Sequence, residues 1–166
     1  MKQIFVHLDR CTGCHSCEVA CAVEHSQLKG LSALLFEIPR PRPRLRIDLS
    51  QGEAVPLLCR HCEDAPCLNA CITGAIYRDP AREGLVLQNP NKCIGCWTCI
   101  MVCPFGVIGQ QTDGRRVALK CDRCPGRATP ACVESCTTKA LEYQDVETFA
   151  RARRKQAAGV IVEAEE

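Results

Sequence analysis

Cys93 to Pro104 reads CIGCWTCIMVCP. Three cysteines at i, i+3 and i+6 can wrap one corner of a metal-sulfur cubane, and the fourth, Cys103, is carried away from that corner before the chain turns at Pro104. The spacing is that of the runs that hold [4Fe-4S] clusters, in which three thiolates bind one cluster and the fourth reaches another. One such run calls for partner cysteines elsewhere in the chain.

The chain supplies three more quartets. Cys11, Cys14, Cys17 and Cys21, in CTGCHSCEVAC, repeat the same spacing, and Gly13, Arg10 and Ser16 fall where the first run has Gly95, Lys92 and Thr98. The two glycines sit where a backbone wrapped closely around a cluster gains from having no side chain. Cys59, Cys62, Cys67 and Cys71 form the second quartet, and Cys121, Cys124, Cys132 and Cys136 the fourth. These two also correspond loosely, since Thr73 and Ala75 after Cys71 parallel Thr138 and Ala140 after Cys136. The whole looks like a duplicated pair.

Two other uses of cysteine compete with this reading. With 16 cysteines in 166 residues, a disulfide framework is the first rival, but nothing in Met1 to Leu8 resembles a signal peptide and the cysteines stand in tight quartets. Reduced thiols fit better. Structural zinc also uses C-x2-C pairs, but a third cysteine at i+6 and a fourth at i+10, present twice, make a zinc ribbon awkward. His7, His15 and His61 lie near the quartets and could be imagined as Rieske-type ligands. Each quartet is already complete in sulfur, so they fit better as hydrogen-bonding or surface residues. Trp97 is more economically a packing residue than an electron conduit.

Hydrophobic content is 46%, but that count includes the cysteines, and aromatic content is 4%. The ordinary apolar core is therefore thin, and clusters would have to act as part of it. The formal charge is +2 with neutral thiols. Four oxidised clusters at about −2 each would bring the loaded protein to roughly −6, which argues against nucleic-acid binding. No apolar run approaches the roughly 20 residues needed to span a bilayer. There is no P-loop, no GxGxxG, and no cysteine left over as a nucleophile, so catalytic machinery is not expected.

Between the quartets the pattern predicts short strands at Ile4–Leu8, Ala75–Tyr77, Leu85–Leu87, Val107–Ile108, Val117–Leu119 and Ala140–Tyr143, with turns at Arg78–Gly84 and Asp113–Gly114. Asp145 is placed to cap a C-terminal helix that Gly159 would stop. Ile38 to Ile47, IPRPRPRLRI, is an extended arm leading into alternating Leu45, Ile47 and Leu49. It serves either as a docking arm or as a connector with solvated arginines. Arg10, Arg60, Lys92, Lys120, Arg123 and Lys139 stand near ligands and could offset cluster charge.

The four quartets, with the CRHCEDAPC, CIGCWTCIMVCPFGVI and CDRC stretches, resemble the four-cluster ferredoxin-like electron-transfer subunits of bacterial redox complexes. The resemblance runs from about Ile4 to Tyr143. Cys71 and Cys136 depart from it in being followed by Ile72 and Thr137 where relatives often carry proline. It implies an α+β fold of two nested bacterial ferredoxin-like modules, short β-hairpins and short helices around the clusters. The outer module would take residues 1–58 and 104–144, the inner 59–103, and a helical tail 145–166. It also implies four [4Fe-4S] clusters with crossed ligation. Cluster 1 would use Cys11, Cys14, Cys17 and Cys136, and cluster 2 Cys21, Cys121, Cys124 and Cys132. Cluster 3 would use Cys59, Cys62, Cys67 and Cys103, and cluster 4 Cys71, Cys93, Cys96 and Cys99. Spacing alone leaves other pairings open.

The resemblance further implies a non-catalytic subunit that passes single electrons between a catalytic partner and a second redox protein. CO dehydrogenase comes first as that partner, with formate dehydrogenase and hydrogenase next. The expected setting is anaerobic and cytoplasmic, with the inner face of the membrane reached only through a partner. The rival from another class is a cluster-stabilised scaffold or assembly subunit off the electron path.

Overall fold

The computed structural model describes residues 2–111 and 114–163. Its elements are short, as expected for a chain interrupted every few residues by a candidate ligand. Strand β1 (Lys2–Val6) leads to helix α1 (Ser16–Glu24), a single-turn helix α2 (Ala33–Phe36), and strands β2 (Arg46–Ser50) and β3 (Glu53–Leu57). Helix α3 (Pro66–Asn69), strands β4 (Ile76–Asp79) and β5 (Leu85–Gln88), and helix α4 (Thr98–Met101) follow. Strands β6 (Gly109–Gln110) and β7 (Ala118–Leu119), helix α5 (Ala131–Glu134), strand β8 (Leu141–Asp145) and the long helix α6 (Val146–Glu163) complete the chain.

Four two-stranded antiparallel ribbons result. β1 pairs with β8, so the two ends of the chain meet, with Ile4 opposite Tyr143 and Val6 opposite Leu141; cross-strand apolar pairs of this kind hold such ribbons together. β2 and β3 form a hairpin whose Gln51 and Gly52 have φ of 52° and 86°. Positive φ at both central residues is what a tight turn matched to strand twist requires. The alternating Leu45, Ile47 and Leu49 thus continue as one arm of a hairpin, and β3 as its partner was not foreseen. β4 pairs with β5 around a 3-10 turn at Pro80–Arg82, in which Asp79 accepts from the Ala81 N–H at 3.0 Å.

β6 pairs with β7 beyond the expected Val107–Ile108. Both of those side chains are buried, Ile108 in a core cluster, and the ladder begins only at Gly109. The expected turn at Asp113–Gly114 falls partly outside the described residues. Asp145 caps α6 as expected, accepting from the Glu147 and Thr148 N–H groups at 2.9 and 3.4 Å. Gly159 does not stop the helix, which runs on to Glu163. A glycine inside a helix costs about 1 kcal/mol but ends it only by turning left-handed, and Gly159 does not do so. Near its start the helix is held by Phe149, which stacks on Phe5 with ring centroids 3.7 Å apart; residues 151–162 are exposed.

Two apolar cores form. One gathers Ile4, Leu45, Ile47, Leu58, Val133 and Leu141 around the buried Cys17, Cys21 and Cys132. The other gathers Ala65, Ile76, Val86, Ile108 and Ala118 around Cys99, with Cys62, Cys67, Cys71, Cys93 and Cys103 packed against it. Ile108 and Ala118, expected by chain order to belong with the outer module, pack instead with Ala65, Ile76 and Val86. Both cores are small, and cysteine is part of each. Iron chelation under anaerobic reducing conditions should therefore unfold the protein, and loss of the cooperative thermal transition followed by far-UV circular dichroism is the expected result.

Candidate metal centres

All sixteen cysteines are free thiols, and the loops that carry them are built on left-handed backbone. Gly13 and Gly95, at equivalent places in the two matching runs, have φ of 67° and 68°. At Gly95 a Cβ would lie 2.2 Å from the Arg116 carbonyl oxygen, so no other residue fits without moving the backbone. His15 and Trp97, the next equivalent pair, are also left-handed, at 59° and 64°. So are His61 and Arg123, at 47° and 64°, and both turn their N–H back onto a sulfur two residues earlier. His61 donates to Cys59 Sγ at 3.5 Å and Arg123 to Cys121 Sγ at 3.4 Å. Left-handed non-glycine residues each cost on the order of 1 kcal/mol and persist where the surroundings dictate them. For His61 and Arg123 the dictating feature is the sulfur. Both were marked in the sequence for their side chains and reach a sulfur through their backbone.

More backbone N–H groups point at sulfur: Arg44 to Cys21 at 3.2 Å, and Ile76 to Cys71, Ala118 to Cys93 and Leu141 to Cys136, each at 3.4 Å. Hydroxyls join them in equivalent pairs. Ser16 and Thr98 lie 3.4 and 3.5 Å from Cys14 and Cys96, and Thr73 and Thr138 lie 3.7 and 3.8 Å from Cys71 and Cys136. The parallels Ser16/Thr98 and Thr73/Thr138 in the sequence are thus parallels of sulfur contact. Donors of this kind suit a thiolate, and hydrogen bonds to sulfur are among the means by which a protein sets cluster potential.

The thiols also crowd one another in particular groups. Burial pushes Cys132 far up, and Cys121, Cys21, Cys124 and Cys17 beside it push the same way. Burial raises Cys21 to about 12, with Cys121 and Cys124 as neighbours. Burial likewise raises Cys67, which faces Cys59, Cys103 and Cys62; these four line one small cavity with Pro66, Val86 and Ile108. Cys99 is raised by burial to about 11 and faces Cys93, Cys67, Cys96 and Cys71. Cys11 and Cys136 pack against the core that contains Cys17. Each thiol so raised keeps its proton at neutral pH until a metal displaces it, and the donor set of clustered sulfurs met by N–H groups fits [4Fe-4S] clusters.

The histidines take other roles. His7 Nε2 meets Glu142 at 3.0 Å, and His15 Nδ1 meets Glu18 at 2.6 Å. His61 is buried and its Nδ1 meets the Val86 carbonyl oxygen at 3.0 Å. Burial, with Lys120 and Arg123 adding to it, lowers its pKa to about 3, so it is neutral.

Sequence reasoning missed His25 and Asp122. His25 Nδ1 lies 2.7 Å from the Cys21 carbonyl oxygen, and its Nε2 lies 3.0 Å from the Asp122 carboxylate. Arg44 from the proline-arginine arm reaches the same carboxylate at 2.5 Å, while Arg42 and Arg40 remain exposed. The arm is therefore not a connector of solvated arginines throughout, because Arg44 is tied into the Cys21 neighbourhood. Burial opposes ionisation of Asp122, but the bonds from His25 and Arg44 hold its carboxyl well below the usual carboxylate range.

A family model described as "4Fe-4S dicluster domain" matches residues 51–146, from before Cys59 to past Cys136. An iron-sulfur protein of Rhodospirillum rubrum is 40% identical over 168 residues, covering 92% of this chain and 86% of that one. The putative electron transport protein YsaA of Escherichia coli strain K12 is 41% identical over 155 residues, covering 92% and 96%. The thiosulfate reductase electron transfer subunit PhsB of Salmonella typhi is 39% identical over 141 residues, covering 81% and 70%.

Arg44→Ala and Asp122→Ala should each cost about 2 kcal/mol, the range for a hydrogen-bonded charge. For a chain of this size that lowers the apparent melting temperature by roughly 4–8 °C. The double variant should lose less than the sum of the two, because both delete one interaction. The Asp122 contribution is present above its unfolded value of 3.8 and is lost as pH falls below it.

Proposed function

The chain belongs to the 4Fe-4S dicluster domain family of ferredoxin-like electron-transfer proteins, and we propose from that membership that it holds four [4Fe-4S] clusters as a non-catalytic electron-transfer subunit. In this reading it passes single electrons between a catalytic oxidoreductase subunit and a second redox protein. The observation that carries it is the sixteen free thiols standing in mutually crowded groups beside N–H donors, with none left over for other chemistry. Each bound cluster supplies a one-electron couple; the chain supplies the sulfurs, the hydrogen bonds and the exclusion of water.

The ligand sets proposed are those implied by the resemblance: Cys11, Cys14, Cys17 and Cys136; Cys21, Cys121, Cys124 and Cys132; Cys59, Cys62, Cys67 and Cys103; Cys71, Cys93, Cys96 and Cys99. The two exposed cysteines, Cys14 and Cys96, fall one in the first set and one in the fourth, though Cys17 and Cys99 of those sets are buried. Cys59 lies close enough to Cys121 to raise its thiol, after burial itself. The second and third sets then meet inside the protein, and the first and fourth lie at its two ends. The proposed modules are nested, residues 1–58 and 104–144 around 59–103, with the β6–β7 hairpin lending Ile108 and Ala118 to the inner core.

For the catalytic partner we put a CO dehydrogenase first and a formate dehydrogenase or hydrogenase next, on the sequence resemblance. That a relative is named an electron transfer subunit of thiosulfate reductase supports a partner of the oxidoreductase class. No helix among the described residues is long and apolar enough to cross a membrane, and the location proposed is the cytoplasm.

Stoichiometric reduction of four clusters, counted by electron paramagnetic resonance during titration with the catalytic partner, tests the reading; clusters that stay oxidised on the turnover timescale would reduce the chain to a scaffold. Cys103→Ser should damage the cluster held by Cys59, Cys62 and Cys67 and spare the one held by Cys93, Cys96 and Cys99. Charge reversal at the exposed Arg40 and Arg42 should weaken partner binding at low salt and much less at high salt, with iron content unchanged. Arg44 is left out of that test because it is tied to Asp122.

A further inference from the structure

Of the six cations that stand near ligands in the sequence, Arg10, Lys92 and Lys139 are exposed. Arg60 donates to the Ile4 carbonyl oxygen, and Arg123, also buried, to the Lys2 carbonyl oxygen and the Gln3 side chain. Lys120 differs in what its side chain reaches. It is 4% exposed, and its Nζ donates to Cys59 Sγ at 3.1 Å and to the Val86 carbonyl oxygen.

An ammonium taken out of water costs several kcal/mol unless it meets a compensating charge. The hydrogen-bond partners of Lys120 do not compensate it while Cys59 is a thiol: they are a sulfur and the Val86 carbonyl oxygen, which the His61 ring also meets. Once Cys59 is a metal-bound thiolate the account changes, because the ammonium then faces negative charge at hydrogen-bonding distance. Lys120 also stands on both sides of the internal junction. Its side chain lines the cavity of Cys59, Cys62, Cys67 and Cys103, and Cys121 is the next residue along the chain.

We propose that Lys120 is the positioning residue that sets the potential of the cluster held by Cys59, Cys62, Cys67 and Cys103, making it easier to reduce than its surroundings alone would allow, at the point where electrons cross between the two modules. The inference rests on the ligand sets proposed above. Adding an electron would make a cluster held there more negative, and a buried ammonium 3.1 Å from Cys59 Sγ would favour that form, since low local dielectric strengthens the attraction. The cluster of Cys71, Cys93, Cys96 and Cys99, with the exposed Cys96, has no such contact from Lys120.

The test is a redox titration of the iron-loaded protein followed by electron paramagnetic resonance, with iron counted for each variant. Lys120→Met removes the charge and keeps the stem; Lys120→Gln removes the charge and keeps a donor for Val86. In both, one potential should fall so that the one-electron equilibrium shifts at least tenfold toward the oxidised form, about 59 mV for a one-electron couple. The potential of the fourth cluster should stay put, and Lys120→Arg should recover part of the shift. Full iron with every potential unchanged in both neutral variants overturns the inference. Loss of iron in both makes Lys120 a structural strut and overturns it too. Cys59→Ser separates this from the ligand reading: if that variant keeps full iron, the ligand sets fall and the inference with them. If it loses one cluster while both Lys120 variants keep all potentials, only the inference falls.

Discussion

The contact on which the rest of the structure depends is between cysteine sulfur and backbone N–H. At Cys21, Cys59, Cys71, Cys93, Cys121 and Cys136 an amide is aimed at the sulfur. Making that contact forces the surrounding loop into a wrap that ordinary strands and helices do not have. His61 and Arg123 adopt left-handed backbone to deliver their amides, and Gly95 comes so close to Arg116 that no side chain fits. The short helices and two-residue strands are what remains of regular structure between such loops.

This arrangement puts the sulfurs inside the packing of the chain. The apolar cores are modest, and cysteines lie inside them: Cys17, Cys21 and Cys132 in one, Cys99 in the other. Burial raises thiols such as Cys17, Cys21 and Cys99 to about 11 or 12, so metal binding at any of them would have to displace a proton. Thiolates bring negative charge into the interior, and few cations answer it. Lys120 reaches Cys59 Sγ, the buried Arg123 gives its guanidinium to the Lys2 carbonyl and Gln3, and Arg44 approaches from the arm and is neutralised by Asp122.

The same economy explains the shape of the chain at its ends. β1 and β8 close the molecule by pairing the first strand with the last, which brings α1 and α5, and with them Cys17 and Cys132, to one core. Beyond that closure α6 is held near its start by the Phe149–Phe5 stack, and residues 151–162 are exposed. Cys14 and Cys96, the two exposed cysteines, lie outside both cores.

The sequence by itself determined the metal and the local chemistry. A cysteine at every third position names the cluster type, because only a few ligand spacings can wrap a cubane. The internal repeat marked Gly13 with Gly95, Ser16 with Thr98 and Thr73 with Thr138, and each of those pairs turned out to share a backbone or sulfur role. Most of the strands were legible within a residue or two, since alternation and turn residues act locally. Tertiary structure alone decided which quartets meet. Cys103 comes to the cavity of Cys59, Cys62 and Cys67, and Ile108 and Ala118 join a core that chain order would deny them, because packing is a matter of distance in space and spacing records only distance along the chain. It also decided the fates of like-looking cations. Nothing in the sequence separates Lys120 from Lys92 or Lys139, or Arg44 from Arg42, because burial, which gives one charge its effect and leaves another to water, is a property of the folded surface.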